Sequence, residues 1–143
     1  LGNEINSEMQ NPLFRSGLLM AGANNPHKPG GNMDGILTAF EISNSDLHTV
    51  DLVVMSACET GLGDIKGNEG VFGLQRAFKM AGVRSIIMSL WKVPDLQTSE
   101  LMELFYKYYI SGNSKQMSLT MAQKELRDKY KNPFYWAAFI VME

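Results

Sequence analysis

One cysteine, Cys58, stands where an apolar run, Asp51-Leu-Val-Val-Met-Ser-Ala57, breaks into a glycine-punctuated acidic loop, Glu59-Thr-Gly-Leu-Gly-Asp-Ile-Lys-Gly-Asn-Glu-Gly70. A free cysteine in a protein interior is most often a small apolar filler. Filler belongs in mid-strand, however, whereas Cys58 is followed at once by Glu59, Thr60 and two glycines, which leave the sulfur near solvent and near backbone amides. That is the setting of a nucleophile. Such a thiol needs a base, and neither of the two histidines offers one. His48 precedes the apolar run, which at roughly 3.3 Å per extended residue sets the length of a strand between it and Cys58. His27 sits among prolines and glycines, with nothing around it to hold an imidazole at a thiolate. Neither histidine has a cysteine or carboxylate pattern suited to zinc, so no metal and no cofactor is expected.

The elements that must position Cys58 follow from the pattern. The run from Asp51 is short, β-branched at its centre and bounded by turn residues, and so reads as a buried strand. Ligands in open α/β sheets collect at the carboxyl ends of strands, where Cys58 lies. Val71, Leu74, Phe78 and Ala81 recur at helical spacing and predict a helix over about 69–81, ended by Gly82. Arg84-Ser-Ile-Ile-Met-Ser-Leu-Trp91 is a second apolar strand. Strand, helix, strand makes a parallel crossover that brings Cys58 and Trp91 to one edge of the sheet. Asp95 or Thr98 can cap a helix bearing Leu101, Leu104, Phe105 and Tyr108, and Ser118 can cap another bearing Leu119, Ala122, Leu126 and Tyr130. Tyr135 to Met142 reads as a last strand. Upstream, 1–15 reads as a loop, 16–39 as a hairpin with a long turn-rich tip, and 40–47 as one or two helical turns; 51–143 is the α/β core.

The same residues carry a resemblance. Ser56-Ala-Cys-Glu-Thr-Gly61, Gly67-x-Glu-Gly70 leading to Gly73-Leu-x-x-Ala-Phe78 and Ala81-Gly82, then Ser89-Leu-Trp-x-Val93 with Asp95 and Thr98, resemble the CHAT domain family of caspase-like cysteine peptidases. Asn11-Pro-Leu-x-x-Ser-Gly-Leu-Leu-x-Ala-Gly22, Asp34-Gly-Ile-Leu-Thr-Ala39 with Glu41-Ile42, and Tyr135-Trp-Ala-Ala-Phe139 extend the match to nearly the whole chain. The resemblance implies a three-layer caspase-hemoglobinase-like α/β fold with a mainly parallel sheet, of which 1–143 is the C-terminal part of a single domain. It implies hydrolysis of peptide bonds by a Cys/His dyad, with Cys58 as nucleophile. The family's histidine belongs to a His-Gly motif upstream of the first matched segment. No His-Gly pair exists here, so the expectation is that the strands carrying it precede Leu1 and that this chain alone is inactive. In such folds specificity comes from a pocket beside the nucleophile, here Ser56 and the segment from Ser89 to Trp91. Glu59 and Asp95 lie near those points and favour a basic side chain at the cleavage site; a loop carboxylate and a helix cap are their plainer readings. The resemblance also implies tetratricopeptide-type helical repeats elsewhere in the parent chain.

Composition narrows the classes. A net charge of −2 provides no basic stripe, so direct nucleic-acid contact is not expected. One cysteine forms no internal disulfide, no apolar run approaches bilayer length and the N-terminus has no leader-like core, so a cytoplasmic protein off the membrane is expected. The expected partner is a protein or peptide substrate, with self-association through a sheet edge exposed by the missing strands. Two other readings stay open. Gly61-x-Gly63-x-x-x-Gly67 between a strand and a helix approximates a dinucleotide fingerprint, but its spacing is one residue too long and Glu59, Asp64 and Glu69 repel phosphate. A non-catalytic scaffold that engages other proteins is the second.

Overall fold

The apolar run after Asp51 is extended over Leu52–Met55, as its β-branched centre favours. The computed structural model describes residues 12–21, 23, 35–56 and 69–143. In chain order these form α1 (Pro12–Arg15), β1 (Gly17–Leu19), β2 (Ile36–Thr38), α2 (Ala39–Ser43), β3 (Leu52–Met55), α3 (Glu69–Met80), β4 (Ser85–Ser89), α4 (Asp95–Ile110), α5 (Lys115–Lys129), a single 3-10 turn (Pro133–Tyr135) and β5 (Phe139–Met142). They divide into two compact units: α1, β1, β2, α2 and α3 in one, and β3, β4, α4, α5 and β5 in the other. Cys58, Glu59, His27, the glycine loop from Gly61 to Gly67 and the first eleven residues lie outside the described residues.

In the first unit β1 pairs antiparallel with β2, Gly17 opposite Thr38 and Leu19 opposite Ile36. A Cβ on Gly17 would lie 2.8 Å from the Leu37 carbonyl oxygen, so only glycine allows this approach. Thr38 ends the strand and starts α2 in the same step: its hydroxyl accepts from the Glu41 amide while the Glu41 carboxylate accepts from the Thr38 amide, a reciprocal cap that satisfies two orphan donors. Ala39, Ile42, Leu74, Ala77, Phe78 and Ala81 are buried in this unit. Helix α3 closes as its sequence predicts. Gly82 takes φ +96°, its amide donates to the Lys79 carbonyl and the Val83 amide donates to the Phe78 carbonyl. These two bonds make a Schellman end, which requires a residue comfortable in the left-handed region.

The second unit holds a three-stranded sheet ordered β3-β4-β5. Strands β3 and β4 are parallel, Leu52 opposite Ser85 and Met55 opposite Met88, whereas β5 runs antiparallel to β4, with Ser89 opposite Phe139. The sheet is therefore mixed, which departs from the mainly parallel sheet expected. The reason is a parity of helices. A single helix after β4 would return the chain to the amino end and start a parallel strand. Here α4 runs away and α5 runs back, so β5 begins beside the carboxyl end of β4. Gly112 makes the reversal with φ +96° and the same pair of bonds seen at Gly82, from the Gly112 amide to Tyr109 and from the Asn113 amide to Tyr108. Ile87, Leu101, Phe105, Leu119, Ala122, Leu126, Ala138 and Phe139 form the core between this helix pair and the sheet. Each large side chain buried there contributes on the order of 1.5–3 kcal/mol.

Three local expectations change. Pro94, at φ −58° and ψ 147°, is the N-cap of α4; Asp95 is already in its first turn, and the Thr98 amide donates to the Pro94 carbonyl, so neither side chain caps the helix. Ser114 rather than Ser118 caps α5, accepting from the Met117 amide at 3.2 Å. Ser118 sits one turn in, fully buried, and returns its hydroxyl to the Ser114 carbonyl. The final strand is shorter than Tyr135 to Met142, because the Asn132 side chain accepts from the Phe134 amide and winds Pro133–Tyr135 into a turn.

Candidate functional site

The carboxyl rim of the β3-β4-β5 sheet gathers four of the residues the sequence singles out. Ser56 follows the last paired residue of β3 and is exposed. Ser89 ends β4, is 3% exposed, and donates from Oγ to the Ser56 carbonyl oxygen at 3.3 Å. Trp91, two residues on, is half-buried, and its indole Nε1 donates to the Phe134 carbonyl oxygen at 2.9 Å. The two rings stack with centroids 6.5 Å apart and planes 24° from parallel. Asp95 is exposed in the first turn of α4, where the helix dipole favours a carboxylate. Val93 is buried between them and anchors the connection.

Sequence reasoning passed over two aromatic side chains, one at this rim and one packed against the core. Phe134, 45% exposed, supplies both the carbonyl and the ring that hold Trp91. Trp136 has its Nε1 buried and without a hydrogen-bond partner among the described residues. Reading Tyr135-Trp136 as strand hid the placement of Trp136, and the Asn132-Pro133 turn signal just before Phe134 was the clue to both. Leu90, between Ser89 and Trp91, is 54% exposed, and its amide continues the pairing to β5 by donating to the Ala138 carbonyl at 2.8 Å.

His48 belongs to the other unit, in the loop before β3. Its Nδ1 donates to Asp46 Oδ1 at 2.6 Å, and its ring lies so close over Gly82 that a Cβ there would meet Cγ at 2.8 Å. The hydrogen bond from His48 is the main reason that the Asp46 carboxyl is held below its ordinary range. Among the described residues no group of histidine, cysteine and carboxylate side chains could hold a metal ion, and no helix is long and apolar enough to cross a membrane. Cys58 and Glu59 follow Ser56 in sequence, outside the described residues.

Comparison with known proteins adds two findings. The CHAT domain profile matches residues 4–143. Tetratricopeptide repeat protein 28 of Mus musculus is 29% identical over 109 residues, and its Homo sapiens counterpart 28% identical over 109 residues. Each alignment covers 75% of this chain and 4% of the relative's length.

Proposed function

Because the chain belongs to the CHAT domain family, we propose that it carries the nucleophile of a caspase-like cysteine endopeptidase, with Cys58 attacking the peptide bond. The observation that carries this reading is the shared rim. The parallel strands β3 and β4 end together, with the exposed Ser56 two residues before Cys58 and with Trp91 and Asp95 at the same end of the sheet. In the reaction, a histidine takes the thiol proton and the thiolate adds to the substrate carbonyl carbon. The histidine then returns the proton to the leaving amine as the C–N bond breaks, and water hydrolyses the thioester. Backbone amides beside Cys58 stabilise the oxyanion. We assign the histidine to a His-Gly motif outside residues 1–143, since His48 is committed to Asp46 and Gly82 at the approach to β3. Ser56, Glu59, Ser89, Trp91 and Asp95 are the proposed substrate-pocket residues, and the two carboxylates favour a basic side chain at the cleavage site. The names of the relatives support tetratricopeptide repeats in the parent chain, and we assign to such repeats the presentation of protein substrates.

The test is cleavage of protein or peptide substrates by the full-length protein, with and without Cys58→Ala. Loss of cleavage in the variant supports the endopeptidase. Cleavage that survives Cys58→Ala refutes it, and a full-length protein that cleaves nothing but captures other proteins through this domain favours a scaffold.

A further inference from the structure

The turn before β5 frees one carbonyl for an outside donor. Within it the Tyr135 amide donates to the Asn132 carbonyl and the Trp136 amide to the Pro133 carbonyl. Carried one residue further, this pattern would give the Ala137 amide to Phe134. That amide turns instead to the Pro133 carbonyl at 2.9 Å, and the Phe134 carbonyl oxygen accepts from the Trp91 indole Nε1 at 2.9 Å. The turn is itself held in place. The Asn132 side chain accepts from the Phe134 amide at 3.0 Å, and the Tyr135 ring meets the Tyr130 ring, just past α5, with centroids 5.6 Å apart. Trp91 packs against the core of this unit and stacks on the Phe134 ring. We infer that Phe134 is a positioning residue for the substrate pocket: its carbonyl and its ring together fix the Trp91 indole, so that this wall of the pocket stands in place before a peptide arrives. This rests on the reading of the rim as the substrate pocket of a cysteine endopeptidase.

Two features direct the effect to binding rather than to the fold. Phe134 is exposed, so trimming its ring opens no cavity in the core. A side chain already held in one rotamer need not be ordered by the substrate, and ordering side chains on binding costs affinity. A wall that meets substrate and transition state alike acts on KM and leaves kcat unchanged.

The experiment uses the full-length protein and a peptide that it cleaves. Phe134→Leu removes the aromatic ring and keeps apolar bulk, whereas Phe134→Tyr keeps the ring. The leucine variant should raise KM about threefold to tenfold at unchanged kcat, the loss of one aromatic pair read as an equilibrium constant. It should weaken binding of the same peptide to Cys58→Ala protein by a similar factor, and the tyrosine variant should keep the parental values. Because Phe134 acts through Trp91, adding Phe134→Leu to Trp91→Ala should leave KM where Trp91→Ala alone puts it. Without peptide, the tryptophan bands of the near-ultraviolet circular dichroism spectrum should change in Phe134→Leu and persist in Phe134→Tyr. Thermal midpoints identify any variant that does not fold, and the spectra decide the matter if Trp91→Ala is the one that fails. Leucine and tyrosine variants with the same KM, unchanged tryptophan bands in Phe134→Leu, or effects of Phe134→Leu and Trp91→Ala that multiply overturn the positioning role and leave the endopeptidase standing. Cleavage that survives Cys58→Ala overturns the endopeptidase and this inference with it.

Discussion

Glu100 on α4 and Lys129 at the end of α5 meet at 2.8 Å, and the Tyr130 hydroxyl donates to the same carboxylate at 3.2 Å. Tyr108 and Glu125 make a second hydrogen bond between the same two helices. The Lys129 hydrogen bond is the main cause that holds the Glu100 carboxyl below its ordinary value, and the Glu100 bond is the main cause that holds the Lys129 ammonium above its own. The folded value of Glu100 is depressed, so its contribution is complete above about 4.5 and fades as pH falls through the lower folded value; that of Lys129 is raised, so its contribution is complete below about 10.5 and fades as pH rises through the higher folded value. Stability from this pair should be flat between those limits and decline outside them. Urea unfolding across pH should show Glu100→Gln flattening both flanks. Added salt should weaken the effect, because the pair is solvent-accessible.

Phe105 is fully buried between the helices and the sheet. Truncation to alanine should cost about 3–5 kcal/mol, the usual toll of deleting a core aromatic ring. A loss below about 1 kcal/mol in denaturant unfolding would contradict this packing.

Gly82 and Gly112 share φ +96°, but their surroundings differ: nothing lies within 4 Å of a Cβ on Gly112, while one on Gly82 meets the His48 ring. Gly112→Ala should therefore cost only the left-handed penalty of about 1–2 kcal/mol. Gly82→Ala should cost more, since the ring must swing away from Asp46. Introducing His48→Ala alongside it should remove the excess and leave the penalty common to both glycines. Equal losses at the two glycines with His48 present would refute the contact.

The caps of α5 provide a fourth check. Ser114→Ala should lower stability by about 1 kcal/mol by orphaning the Met117 amide. Ser118→Gly should lower it by about 1 kcal/mol or less through helix propensity. Ser114→Asp, which keeps a side-chain acceptor for the Met117 amide, should retain the cap, as read by the midpoint of thermal unfolding.

How much of this was legible in the sequence depended on whether a signal was local. The β-branched run at Val53-Val54, the helical spacing of Leu74 and Phe78 and the glycine at 82 each act over a few residues, and the elements they predict are present. The strand direction of β5 was not legible, because it depends on two helices returning the chain rather than on any residue within Phe139–Met142. Serine caps were misread for a related reason: Ser114 and Ser118 stand one helical turn apart and either could begin the same apolar stripe, and burial of Ser118 decides between them. At the rim, Ser56, Ser89, Trp91 and Asp95 were singled out through the family resemblance and their nearness in sequence to Cys58 or to the end of the next strand, and they lie at one end of the sheet. Phe134 was missed because it reaches Trp91 across 43 residues of chain.

The two-helix return from β4 to β5 also ties the lengths of α4 and α5 together. With 16 and 15 residues they rise about 24 Å and about 22 Å, so outbound and homeward legs nearly cancel and set Pro133–Tyr135 back at the level of Trp91. An extra helical turn in one leg alone would displace the Phe134 carbonyl by about 5 Å, well beyond the reach of an indole N–H. Insertions and deletions in this helical hairpin are therefore constrained in pairs. The pair acts as a gauge for the rim, although most of its residues stand far from it.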